Sequence, residues 1–110
     1  MIGLKRVVAR VIVILIKGAP GDCVSITPGV LRGMISDGAV REALRLLRVL
    51  YIHGILDRGY GAYTLCSTDN PTLWAMVKRL PLDEAVAWLM WLIEDALDGK
   101  PIDTGPSYDL

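Results

Sequence analysis

Between Gly38 and His53 apolar and charged residues alternate with the period of a helix. At 100° per residue Val40, Ala43, Leu44, Leu47, Leu50 and Tyr51 fall on one side, the i, i+3, i+4, i+7 stripe of an amphipathic helix. Arg41, Arg45 and Arg48 fall together on a neighbouring side. Ser36 or Asp37 suits the start, because a side-chain oxygen there can accept from the free N–H groups of the first turn. Gly54 suits the end, where a left-handed residue is often required. Directly after it, Ile55 to Arg58 and Ala62 to Leu65 read as two strands around Gly59-Tyr60-Gly61, a connection of three residues whose glycines reach positive φ at little cost. Leu56 and Leu65 then face the core, with Arg58 and Tyr60 at or near the exposed tip.

The same reading extends to both sides. Leu4 to Lys17 is apolar over most of its circumference. Val11 to Ile16 is β-branched at nearly every position and fits a buried strand as well. The length of the stretch and Arg6, Arg10 and Lys17 favour a helix buried on more than one side. Gly18 to Asp22 is a loop and Cys23 to Ile26 a short strand. Thr27-Pro28 opens a helix to about Ile35, with Thr27 as cap and Pro28 at the first helical position, where its missing N–H costs nothing. Val30, Leu31, Met34 and Ile35 turn inward and Arg32 outward. Two helices joined by Ser36-Asp37-Gly38 make a helix-turn-helix unit.

Further along, Asn70-Pro71 opens a helix to about Leu80, and Pro81 stops it. Leu82 to Asp98 is the last helix, with Asp83 and Glu84 at its positive N-terminal end. Leu82, Ala85, Val86, Leu89, Leu92, Ile93, Ala96 and Leu97 make a broad apolar face, and Trp88 and Trp91 fall outside it. Exposed tryptophans call for a cover. The expectation is a homodimer, in which Val11, Ile14 and Leu15 of one subunit meet Trp88, Trp91 and Leu92 of the other. The alternative is that the 70–80 helix folds over the tryptophans within one chain. Residues 1–66 and 67–98 then form one compact domain, and 99–110 a loose tail.

Length and composition narrow this further. The 110 residues suit a single domain, and 53% hydrophobic residues argue against disorder. The formal net charge is zero, but it is unevenly spread. Residues 1–58 carry nine Lys/Arg against four Asp/Glu, and residues 59–110 carry three against eight. That gives a basic half and an acidic half. No stretch reaches the roughly 18 apolar residues that span a bilayer. Val11 to Ile16, behind basic residues, resembles a signal peptide only faintly, since Lys17 closes it and no small-residue cleavage pattern follows. A cytoplasmic protein is the expectation. Glutamine is absent and Asn70 is the one asparagine, which fits a heat-adapted source.

Little catalytic chemistry is legible. His53, the one histidine, lies at a helix end, and Cys23 and Cys66 lack the ligand spacing of a zinc site. The glycines at 18–21 and 59–61 lack the Lys-Ser/Thr of a phosphate loop. Asp83/Glu84 and Glu94/Asp95 read as surface acids. The expectation is a protein that is not an enzyme and has no cofactor or metal.

The order is helix, strand, helix, turn, helix, hairpin, with the segments L-R-V-L-Y-I-H-G-I-L-D-R (47–58) and A-Y-T-L (62–65). It resembles the winged helix-turn-helix family of DNA-binding proteins across about residues 4–66. The helices that follow are similar to those of MarR- and PadR-like regulators. The resemblance implies a mainly α fold with a small β-hairpin wing, and a homodimeric transcription regulator of double-stranded DNA. It implies Arg41, Glu42 and Arg45 toward base edges and Arg48, Arg32, Ser36 and Thr27 toward phosphates, with Arg58 and Tyr60 on the wing. The planar fork of arginine matches guanine or phosphate. It also implies that the 23–26 strand pairs antiparallel with the second wing strand. If Val24 lies opposite Leu65, Cys23 lies opposite Cys66, either bridged or as two free thiols. A competing reading is a winged-helix protein-interaction module, favoured by the zero net charge, the tryptophans and the short wing. Any small-molecule effector is not legible.

Overall fold

The computed structural model describes residues 2–98. Its first helix, α1 (Ile2–Gly18), runs through the whole β-branched stretch. There follow β1 (Cys23–Ile26), α2 (Pro28–Met34), α3 (Asp37–Ile52), β2 (Asp57–Gly59), β3 (Ala62–Cys66), α4 (Pro71–Arg79) and α5 (Leu82–Leu97). The chain is mainly helical, with a small antiparallel sheet of order β1-β3-β2.

The β-branched run is accommodated because α1 is surrounded. It packs against α3, α4, α5 and β1, and buries Val8, Ala9, Val11, Ile12, Val13 and Ile16. The Lys17 ammonium donates to the Leu80 carbonyl at the end of α4, and the Lys78 ammonium donates to the Ala19 carbonyl just past α1, at 3.4 Å. Each helix thus receives a cation from the other at its negative end.

The pairing of α1 with α5 within one chain takes Val11 and Leu92 out of the expected dimer contact. The sequence placed these helices against each other across two subunits, but they meet within one chain. Lys5 pairs with Glu94 at 3.7 Å, which sets the start of α1 beside the end of α5 and makes the two helices antiparallel. Val11 and Leu92 are each 4% exposed and belong to the protomer's own core. Leu15 and Trp88 are partly buried and packed on that core. Only Ile14 and Trp91 of the expected dimer residues stay open, at 40% and 52% exposure.

Local signals decide the helix ends. Thr27 Oγ1 accepts from the Val30 N–H at 3.0 Å to start α2, and Asn70 Oδ1 accepts from the Leu73 N–H at 3.4 Å to start α4. Ser36 occupies the cap of α3 without a side-chain hydrogen bond. The end of α3 is more fully built. Gly54 has φ +82°, its N–H donates to Tyr51 O, and the Ile55 N–H donates to Leu50 O at 2.9 Å. That is a Schellman motif, with Ile55 and Leu50 both buried as its apolar contact.

In the sheet Val24 lies opposite Leu65 and Ile26 opposite Tyr63, while Arg58 also lies opposite Tyr63. Opposed residues share a face, so Val24, Ile26, Leu65, Tyr63 and Arg58 point to the helix side. Cys23 lies opposite Cys66 on the other face, and the two are joined by a disulfide. The first hairpin strand is Asp57–Gly59 rather than 55–58, because Ile55 and Leu56 are drawn into the core below it. The connection is two residues, not three. Gly59 pairs with Ala62, and both Tyr60 (φ +51°) and Gly61 (φ +76°) take positive φ, as in a type I′ turn.

Among the described residues no helix is long and apolar enough to cross a membrane.

Candidate nucleic-acid interface

The buried side of α3 is Val40, Ala43, Leu46, Leu47 and Leu50. Compared with the expected stripe it is turned by about 40° toward Leu46, from the 100° helical step. Leu44 is left half-buried and Tyr51 is 39% exposed. Arg41, Arg45 and Arg48 lie within about 60° of arc on the outward side, all exposed. Ile52, 67% exposed, falls inside the same arc.

Two clusters flank this arc. At the start of α3, Arg32 from α2 joins Asp37, Val40, Arg41, Leu44 and Arg45 around one open groove of about 520 Å³. Three guanidinium groups on an apolar floor suit an anion, with Asp37 opposing it. At the other end, the Tyr51 ring meets the Tyr63 ring at 6.3 Å, and the Arg58 guanidinium lies 5.6 Å from the Tyr63 ring centre. Arg58 reaches back toward α3 because it shares the inner face of the sheet with Tyr63. The basic residues of α2, α3 and the hairpin therefore lie on one continuous surface.

The remaining expected residues divide. Glu42 pairs with Arg45 at 3.4 Å, both exposed, so the carboxylate offsets one of the cations. Ser36 and Glu42 line a different groove, with Gly3, Leu4, Val7, Gly38 and Ala39, on the α1 side. Thr27 is half-buried and its oxygen already accepts the α2 cap bond. Tyr60 stands fully exposed at the hairpin tip. Two residues of the surface, Tyr63 and Ile52, were not singled out from the sequence. Tyr63 had a signal, since strand alternation puts it on the face of Leu65. Ile52 had none, because an apolar residue at a helix end reads as core.

Among the described residues no group of His, Cys, Asp or Glu is gathered closely enough to hold a metal. Comparison with protein-family models, curated proteins and solved structures gave no match.

Proposed function

We propose that this chain binds double-stranded DNA as a winged helix-turn-helix protein. In this reading α2 and α3 are the helix-turn-helix, and α3 is the helix that enters the major groove. The β2–β3 hairpin is the wing, resting on the flanking backbone. The observation that carries it is the gathering of Arg32, Arg41 and Arg45 at one end of α3 and of Arg58 beside Tyr63 and Tyr51 at the other. Arg48 lies between them on α3. Phosphates along a duplex need cations spread along a line, and base edges need a protruding helix that carries forked donors. Arg41 and Arg45 suit the bases. Arg32, Arg48 and Arg58 suit phosphates. The reading implies a cytoplasmic transcription regulator. A homodimer would need a surface other than the α1–α5 seam.

The test is titration of labelled duplex DNA with the protein at two salt concentrations, beside Arg45→Ala. Binding should weaken steeply with salt. The variant should bind about 1–3 kcal/mol more weakly if Arg45 reads a base. No binding at low salt by the folded protein would refute the reading.

A further inference from the structure

The end of α5 departs from those of its neighbours. α1 closes on Lys17 and α4 on Lys78 and Arg79, cations set at the negative end of a helix. α5 has no basic residue, and it closes on Glu94, Asp95 and Asp98, where a carboxylate is unfavourable. Lys5 answers Glu94. No ion pair answers Asp95 or Asp98 among the described residues.

The outward side of the same helix holds a second departure. Trp91 is 52% exposed, while Leu89, Leu92, Ile93 and Ala96 on the other side are buried in the core. A helical side chain leans over the turn before its own, and there stands Ala87, too small to cover an indole. Glu84 lies seven residues before Trp91 and Asp98 seven after, both exposed. Seven residues bring a helix to within about 20° of the same line and advance it by about 10.5 Å. The open face is therefore an indole midway between two carboxylates, with Asp95 half-buried at its edge.

We propose that this face docks an arginine-bearing segment of another protein. A guanidinium lies flat on an indole, a cation–π contact favoured where water is excluded. Cations about 10 Å to either side, at every third residue of an extended chain, meet Glu84 and Asp98. They also bring the end of α5 the countercharge that α1 and α4 find in their own sequence. A nucleic acid is repelled by the same carboxylates, and an apolar partner would strip water from them without a compensating bond. Tryptophan and arginine are the residue types that most often anchor a protein interface. The arginines of α3 take no part, so this inference and the DNA reading fail separately.

The test is a titration of the isotope-labelled full chain with the peptide acetyl-Arg-Gly-Gly-Arg-Gly-Gly-Arg-amide. Proton–nitrogen correlation spectra follow the binding and report the fold of every variant. The Trp91 indole N–H and the backbone amides of residues 84–98 should shift together and saturate at millimolar peptide, while those of α3 stay in place. Trp91→Ala should weaken binding about tenfold. Glu84→Gln/Asp98→Asn should weaken it roughly fivefold with the tryptophan intact. Asp69→Asn removes an exposed carboxylate outside α5 and should change nothing. No shift on α5, full binding by Trp91→Ala, or as large a loss from Asp69→Asn as from the α5 pair would overturn the proposal.

Discussion

Replacing both cysteines by serine should destabilise the protein by about 4 kcal/mol. Cys23 and Cys66 are 43 residues apart, so the bridge closes a loop holding α2, α3 and the hairpin. In the chain-entropy treatment a loop of that length removes roughly 13 cal/mol/K from the unfolded chain, or about 4 kcal/mol at 25 °C. The folded state should lose little. Cys23 is exposed, Cys66 is half-buried, and both lie on the sheet face away from the core, so serine leaves no cavity. The neighbouring pairs Val24–Leu65 and Ile26–Tyr63 remain. Such a loss is a large part of the roughly 5–15 kcal/mol by which small domains are stable. The assay is urea unfolding of the oxidised chain, the reduced chain and the Cys23→Ser/Cys66→Ser variant, with free thiols counted by mass after alkylation. Reduced chain and variant should agree with each other and fall well short of the oxidised chain. Stabilities within about 1 kcal/mol of one another in all three would refute the loop-closure argument, and two free thiols in the aerobically purified chain would remove its premise.

Two further outcomes are expected. Gly54→Ala should cost about 1–2 kcal/mol, read as a lower thermal midpoint, because an L side chain is strained in the left-handed region. Nothing lies within 4 Å of the added Cβ, so strain alone carries the effect, and Gly33→Ala, within α2 and equally open, serves as control. Glu42→Gln should strengthen duplex binding, measured by the same titration as Arg45→Ala, because it frees Arg45 from its exposed partner and removes a charge that phosphates repel. Unchanged binding would place Glu42 away from the duplex, and weaker binding would mean that its carboxylate accepts from a base edge.

The helices were legible because their boundaries are written in local chemistry. Thr27-Pro28, Asn70-Pro71 and Gly54 need only their immediate neighbours to act. The hairpin was legible in kind but not in length, since the period of the strands does not reveal that Tyr60 accepts a positive φ. The orientation of α3 was less legible. Leu46 and Tyr51 flank the same stripe, and which one turns inward depends on where Tyr63 and Arg58 stand, residues that reach α3 only through the sheet register. That α1 packs against α5 was legible, but not that both belong to one chain. Periodicity shows that a helix needs cover on several sides but not whether its own chain or another supplies it. For the candidate interface, the arginines of α3 were visible by spacing alone. The joining of Arg32 to one end and of Arg58 to the other depends on tertiary placement.

The turn at the end of α3 has a mechanical consequence. Leu50 accepts from the N–H groups of both Ile55 and Leu56, and all three side chains are buried. The chain passes from helix to hairpin without slack, and the Tyr51–Tyr63–Arg58 stack ties the far side of the same joint. Helix and hairpin therefore cannot swing independently. A long ligand laid along α3 meets a jaw of fixed opening, and its own bend or groove width must match, since the protein has no hinge there with which to adapt.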